Sequence, residues 1–282
     1  MTNTIIGGAG ADTLTNEQCT PYTVHYAYDT TALANGTGSA VTKQGGKTWY
    51  FLTADYAFGK ALEKATSDVV KANGGQVLGA VRAPLSASDF SSFLLQAQAS
   101  KAQILGLANA GGDTVNSIKA AKEFGITKTM KLAALLMFIT DVHGMGLQAA
   151  QGLYLTESYY WDRNDASREF GNRFKERTGR MPNMVQAGTY SGVMHYLKAI
   201  KEAGTDETEA VAAKMREMPV SDFFAENGKV LANGRMVSDV YLFQVKKPEE
   251  SKGEWDYYNL IATIPGEEAY MKAEDSGCAL VK

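Results

Sequence analysis

Asp55, Asp113 and Asp141 each follow closely on a run of apolar residues that reads as a buried strand, and acids gathered at one rim are what acid/base chemistry would need. No activated nucleophile accompanies them. His25, His143 and His195 are far apart, none lies in an HExxH pattern or beside a cysteine, and no GxSxG elbow occurs, so neither a metal site nor a nucleophile triad is supported. The histidines read as structural or surface residues, and the aspartates as helix caps or ligand hydrogen-bonding groups. Asp113 in AGGDT suits an N-cap. Two glycine-bearing turns offer backbone N–H groups instead: Gly7 to Gly10 after Thr4–Ile6, and Asn109 to Thr114, a helix N-terminus and so a seat for a carboxylate or phosphate. Neither matches a dinucleotide fingerprint, since Gly8 and Gly10 are followed by Thr13 where GxGxxG requires glycine. Gly45 to Thr48, GGKT, follows a helix and opens a strand, the reverse of a phosphate loop.

The stretch that positions most of these groups is Lys47 to Ala61. Trp49 to Thr53 is apolar without alternation, as expected of a strand covered on both faces. Asp55, Tyr56 and Phe58 come next, and Gly59 releases the chain into a helix whose Ala61, Leu62, Ala65, Val69 and Ala72 recur at helical spacing. Strand, polar loop and helix repeat from Gln103 with the loop NAGGDT, again from Lys131 to Ile139 with Asp141 and His143 beyond it, and from Gly152 to Ser158, ending in Tyr159, Tyr160 and Trp161. Such a repeat predicts a parallel sheet with crossover helices, whose ligands collect at the carboxyl ends of the strands. Helices are expected over about 31–44, 90–99, 115–124, 165–177, 182–204 and 208–218. After Phe223 the pattern changes to turn dipeptides, Asn227-Gly228 and Asn233-Gly234, and to two strands, VYLFQV and YYNLIATI, read as antiparallel.

The chain has 282 residues, 45% hydrophobic and 21% charged, enough for one large or two small domains with a real core. Its net charge of -3 and interleaved signs give no basic footprint for nucleic acid. No apolar run reaches the ~20 residues of a membrane span, and MTNTIIGGAG has neither the basic nor the sustained apolar part of an export signal. Cys19 and Cys278 are either two separate thiols or one disulfide tying the start of the chain to its end; their spacing leaves both open.

ADYAFG, NAGGDT, FITDVHGMG and GLYLTESYYW, in this order and spacing, resemble the branched-chain amino acid (leucine/isoleucine/valine-binding) type of periplasmic solute-binding protein of ABC transporters. The resemblance covers essentially the whole chain. It implies an α/β, type I periplasmic-binding-protein fold: two Rossmann-like lobes with parallel sheets and crossing hinge strands, residues 1–29 and 162–238 forming an N-terminal lobe and 30–161 and 239–282 a C-terminal lobe with hinge and lobe-edge strands. It also implies a non-enzymatic importer component without cofactor or metal, periplasmic, monomeric in full-length form, partnered by a small ligand and a membrane permease, closing its lobes on the ligand. A ligand-sensing domain of a receptor or regulator is the alternative; a nucleotide-dependent oxidoreductase is the more distant one.

By resemblance, ligand contacts fall on Gly8, Ala9 and Gly10, on Asp55, Tyr56 and Phe58, on Asn109, Ala110 and Asp113, and on Phe138 and Tyr190. Glycines stand where the family usually has a hydroxyl residue, so only the backbone part of that contact carries over, and Phe58 matches an aromatic that stacks on the ligand. Amino acid binders hold the ammonium with an acid after the third strand; here Ala134 to Phe138 is wholly apolar, which points to a small organic acid or amide, aromatic ones included. The family also carries several βα units ahead of the strand matching Thr4–Ile6, on the order of 100 residues at roughly 30 per unit. The first lobe is therefore expected to be incomplete, exposing apolar surface around Thr4–Ile6 and the 165–204 helices and binding ligand weakly.

Overall fold

The computed structural model describes residues 2–281, which divide into two compact units. Unit 1 holds residues 2–29, 157–240 and 263–281; unit 2 holds 30–156 and 241–262. The strands are β1 (Thr4–Ile6), β2 (Thr23–His25), β3 (Thr48–Ala54), β4 (Gln76–Ala83), β5 (Ile104–Ala108), β6 (Lys131–Ala134), β7 (Tyr154–Glu157), β8 (Lys229–Val230), β9 (Met236–Val237), β10 (Val240–Val245) and β11 (Tyr258–Ile264). The longer helices are α1 (Ala57–Ala72), α2 (Ser91–Ala99), α3 (Gly112–Glu123), α4 (Asp165–Thr178), α5 (Met184–Ala203) and α6 (Thr208–Glu217).

Unit 2 is built on a seven-stranded sheet in the order β11-β10-β7-β6-β5-β3-β4, with β3, β4, β5, β6 and β7 paired in parallel. The run from Trp49 lies at its heart: Trp49, Phe51 and Leu52 are fully buried, as is all of β5, which fits strands covered on both faces. Gly106 is required where β5 passes β3, because a Cβ there would sit 2.7 Å from the Phe51 ring. β4, at the sheet edge, alternates exposed and half-buried positions. α1 covers the sheet with Leu62, Thr66 and Val70. The helix expected over 31–44 forms in three pieces, with a π-helical turn at Ala34–Gly38. That turn lies against β7: Thr37 and Thr156 share a hydrogen bond of 2.9 Å, and Gly36 packs so closely on Thr156 that no side chain fits there.

In unit 1, β1 and β2 pair in parallel, Thr4 opposite Thr23 and Ile6 opposite His25. α5 lies under this pair through two small positions: a Cβ on Gly192 would come within 2.9 Å of Ile5, and one on Gly188 within 2.8 Å of Ala27. Its start is fixed by Asn183, whose side chain accepts from the N–H groups of Val185 and Gln186 while Gln186 reaches back, and its end by left-handed Gly204. Tyr159, Phe170, Phe223 and Phe224 stack beside it. The second turn dipeptide closes a hairpin, β8 antiparallel to β9, with Gly234 at φ +85°. Cys19 and Cys278 are bonded, their Cα atoms 5.7 Å apart.

The segment from Thr263 onward differs from the sequence expectation, which placed 239–282 together in the second lobe. It belongs with unit 1, held there by the disulfide and by Tyr270, whose ring lies 4.3 Å from the Arg235 guanidinium. The third strand is also shorter than expected. It ends at Ala134, not Ile139, because a helix begins at Ile139 with Asp141 accepting the Phe138 N–H at 2.9 Å.

Candidate functional site

The carboxyl ends of β3 and β5 in unit 2 gather most of the residues singled out above. Asp55 continues β3 by donating its N–H to the Ala83 carbonyl, and its carboxylate meets Lys60 Nζ at 2.8 Å. That contact, by hydrogen bond and by charge, holds the Asp55 carboxyl below the usual range. Gly59 lets α1 start hard against both strand ends, since a Cβ there would lie 2.1 Å from the Ala54 carbonyl and 3.1 Å from that of Ala108. Phe58 is thereby drawn inward to 7% exposure, its ring 5.9 Å from that of Tyr56. Burial, with the charge of Asp113 as a smaller cause, raises the Tyr56 phenol, so it is a neutral hydrogen-bonding group at any ordinary pH.

The second loop is built differently from its sequence reading. Asp113 does not cap α3; the N-cap is Gly111 at φ +57°, and the Asp113 carboxylate accepts the Ser86 N–H at 3.1 Å instead. Gly111 leaves the loop without a capping side chain because its own backbone makes the turn. Asn109 is buried and already committed: its amide donates to Ser117 Oγ at 3.0 Å and its carbonyl accepts from Thr114 at 2.8 Å. It shapes the loop, and Ala110, half-exposed beside it, is the part that remains open to solvent. Beyond β6, Leu135, Leu136 and Met137 are buried and Phe138 half-buried, so this end of the sheet is packed with apolar side chains. Asp141 is engaged with the Phe138 backbone, and burial raises its carboxyl against that hydrogen bond.

In unit 1 the Gly8–Gly10 turn is braced by two side chains that sequence reasoning passed over. Tyr28 donates to the Gly8 carbonyl at 2.8 Å, and His25 Nε2 lies 2.7 Å from the Ala9 carbonyl. A carbonyl only accepts, so Nε2 carries a proton. Burial, then the charge of Arg235, lowers its pKa to about 3. Both carbonyls are thereby engaged within unit 1. The only cue in the sequence was TVHYAY itself, which sets His25 at the end of the second strand and Tyr28 just beyond it. Tyr190 is 46% exposed and packs on Phe170 and Phe223 at 5.1 and 5.9 Å.

Two cavities in unit 2 lie at the opposite, amino edge of the sheet. The two, of about 240 and 360 Å³, share Gln44, Gly46, Ile104, Met130 and Lys131, none of them a residue expected to bind ligand. Among the described residues no group of three or more His, Cys, Asp or Glu could hold a metal, and no helix is long and apolar enough to cross a membrane.

A family model described as periplasmic binding protein matches residues 3–254. Among solved structures, a periplasmic binding protein from Burkholderia mallei is 67% identical, with a TM-score of 0.97 over 99% of this chain and 74% of its own. A branched-chain amino acid ABC transporter periplasmic ligand-binding protein from Burkholderia xenovorans is 37% identical, with a TM-score of 0.89 over 99% of this chain and 75% of its own. A solute-binding protein of an ABC transporter from Rhodopseudomonas palustris, solved with 3,4-dihydroxybenzoic acid, shares the fold at 24% identity and a TM-score of 0.80 over 93% of this chain and 72% of its own. A search of curated proteins returned no match.

Proposed function

The chain belongs to the periplasmic binding protein family and is a solute-binding component of an ABC-type importer; from that premise we propose that its solute is a small organic acid or amide rather than a free α-amino acid. One observation carries the reading. The acids at the unit 2 rim are occupied, Asp55 by Lys60, Asp113 by the Ser86 N–H and Asp141 by the Phe138 N–H, and the end of β6 is apolar from Ala134 to Met137. An ammonium group taken out of water needs a carboxylate of its own, and leaving it unpaired costs several kcal/mol or more. Within unit 2 a carboxylate or amide is suited by what remains, the neutral Tyr56 phenol and the ring of Phe58.

We further place the protein in the periplasm, partnered by its ligand and a membrane permease, acting by binding without catalysis, and monomeric as the full-length protein. One observation favours a second reading, a ligand bearing an ammonium group: Glu157, at the end of β7, is a carboxylate only 1% exposed. Calorimetry with a panel of small monocarboxylic acids, their amides, and leucine and valine separates the two. The first reading expects the acids or amides to bind tightest, with Tyr56→Phe weakening them about tenfold; leucine or valine binding more tightly than every acid and amide overturns it.

A further inference from the structure

At the amino edge of the unit 2 sheet β5, β6 and β7 run side by side, with Ile104 opposite Lys131 and Ala133 opposite Tyr154. The cavities of about 240 and 360 Å³ lie there. Their apolar lining comes from Val41, Ile104, Met130 and Leu153, all buried. Gly46 presses close upon it, since a Cβ at that position would lie 2.8 Å from Ile104 Cδ1. The charged lining has one sign. Lys122, Lys128 and Lys131 supply it, and no Asp or Glu lines either cavity. Lys122 Nζ donates to the Gln148 and Ala149 carbonyls, so closing a neighbouring helix end accounts for that lysine. It does not account for the other two. The side chains of Lys128 and Lys131 are exposed and have neither a hydrogen bond nor an ion pair among the described residues. Cations gathered in a concavity without a carboxylate raise the local potential and draw in anions, while the buried apolar lining favours a hydrocarbon part taken out of water.

We propose that these cavities form a binding site for a small amphiphilic carboxylate, its hydrocarbon part against Ile104, Met130 and Leu153 and its anionic end held by Lys128 and Lys131. Sites for drug-sized ligands enclose roughly 300–1,000 Å³, so the volumes here suit a smaller molecule free in solution. The site lies at the end of the sheet opposite Asp55, Tyr56 and Phe58, and it stands whichever solute those residues meet.

Methyl resonances of isotope-labelled methionine test it on this chain, with sodium hexanoate as the probe and hexanol as its uncharged counterpart. Met130 precedes β6 and Met137 follows it, both buried, so the two methyl groups report on opposite ends of one strand. Met130→Leu and Met137→Leu assign their signals. Hexanoate should move the Met130 methyl saturably; uptake at the carboxyl end of the strands would move Met137 as a separate event with its own concentration dependence. Hexanol should bind about tenfold more weakly, and Lys128→Gln with Lys131→Gln should weaken hexanoate about tenfold without changing the melting temperature. Lys128→Arg with Lys131→Arg keeps both charges and should retain binding. A Met130 methyl that stays in place at millimolar hexanoate, a shift of Met137 alone, hexanol binding as tightly as hexanoate, a glutamine variant that binds as well as the parent, or an arginine variant that loses binding each overturns the proposal.

Discussion

Replacing Arg235 by methionine should be the most damaging single change available in unit 1. Its guanidinium is 1% exposed and donates from Nη2 to the Tyr26 carbonyl at 2.7 Å, from Nη1 to the Tyr28 carbonyl at 3.1 Å and from Nε to the Met236 carbonyl at 3.0 Å. It lies 3.6 Å from the Asp29 carboxylate and 4.3 Å from the Tyr270 ring centre. One side chain thus joins the end of β2, the β8–β9 hairpin and the segment after Thr263. Hydrogen bonds from a charged donor are worth about 1.5–3 kcal/mol each, but three on one group do not add, and breaking a buried ion pair from one side costs about 3–5 kcal/mol. We therefore expect Arg235→Met to lose about 3–5 kcal/mol, out of a total that for most proteins is about 5–15. Urea unfolding followed by tryptophan fluorescence and circular dichroism measures the loss as a lowered midpoint. Adding Asp29→Asn should recover part of it, because the carboxylate no longer sits buried beside a missing cation, and the coupling comes from the double-mutant cycle. A loss below about 1 kcal/mol, or a double variant no better than the single one, would refute the assignment of Arg235 as the group holding these segments together.

Other perturbations test separate parts of the structure. His25 is held neutral with its pKa near 3 against an ordinary value of about 6.5, so it contributes stability above pH 6.5 that is lost as pH falls toward 3; acid melts should show that loss and His25→Gln should flatten it. Reducing the Cys19–Cys278 bond removes a constraint across 259 residues, worth about 5 kcal/mol in the chain-entropy model, and the melting temperature should drop with dithiothreitol and not change in a Cys19→Ala, Cys278→Ala double variant. Gly59→Ala forces a methyl group to within 2.1 Å of the Ala54 carbonyl, so it should destabilise by about 1–3 kcal/mol in urea melts and weaken ligand binding by displacing Phe58.

Much of unit 2 was legible because its signals are local. The runs at Trp49 and Ile104 are apolar without alternation, and that alone specified buried strands ending just before Asp55 and Asn109. Asn233-Gly234 was legible as a turn for the same reason, since glycine there takes φ +85°. What escaped was decided by partners distant in sequence. Asp113 looked like a cap, but Ser86, 27 residues away, holds its carboxylate. The π-helical turn at Ala34–Gly38 answers to Thr156, and nothing near residue 36 announces that strand. Arg235 is a lone arginine after a turn dipeptide until folding brings Tyr26 and Tyr28 to it, 209 and 207 positions earlier in the chain. The bracing of Gly8 and Ala9 by Tyr28 and His25 belongs with these: the turn was read from its glycines, while its rigidity comes from the following strand.

The disulfide has one more consequence. Because it joins residues 259 positions apart, everything between Cys19 and Cys278 is a closed covalent ring. A protease that nicks any loop of unit 2, or the helices of unit 1, opens the ring without releasing a piece. Digests run without reductant would keep the mass of the uncut protein apart from the added water, and the fragments would separate only once the sulfurs part. A single cleavage is then no route to losing half of the molecule.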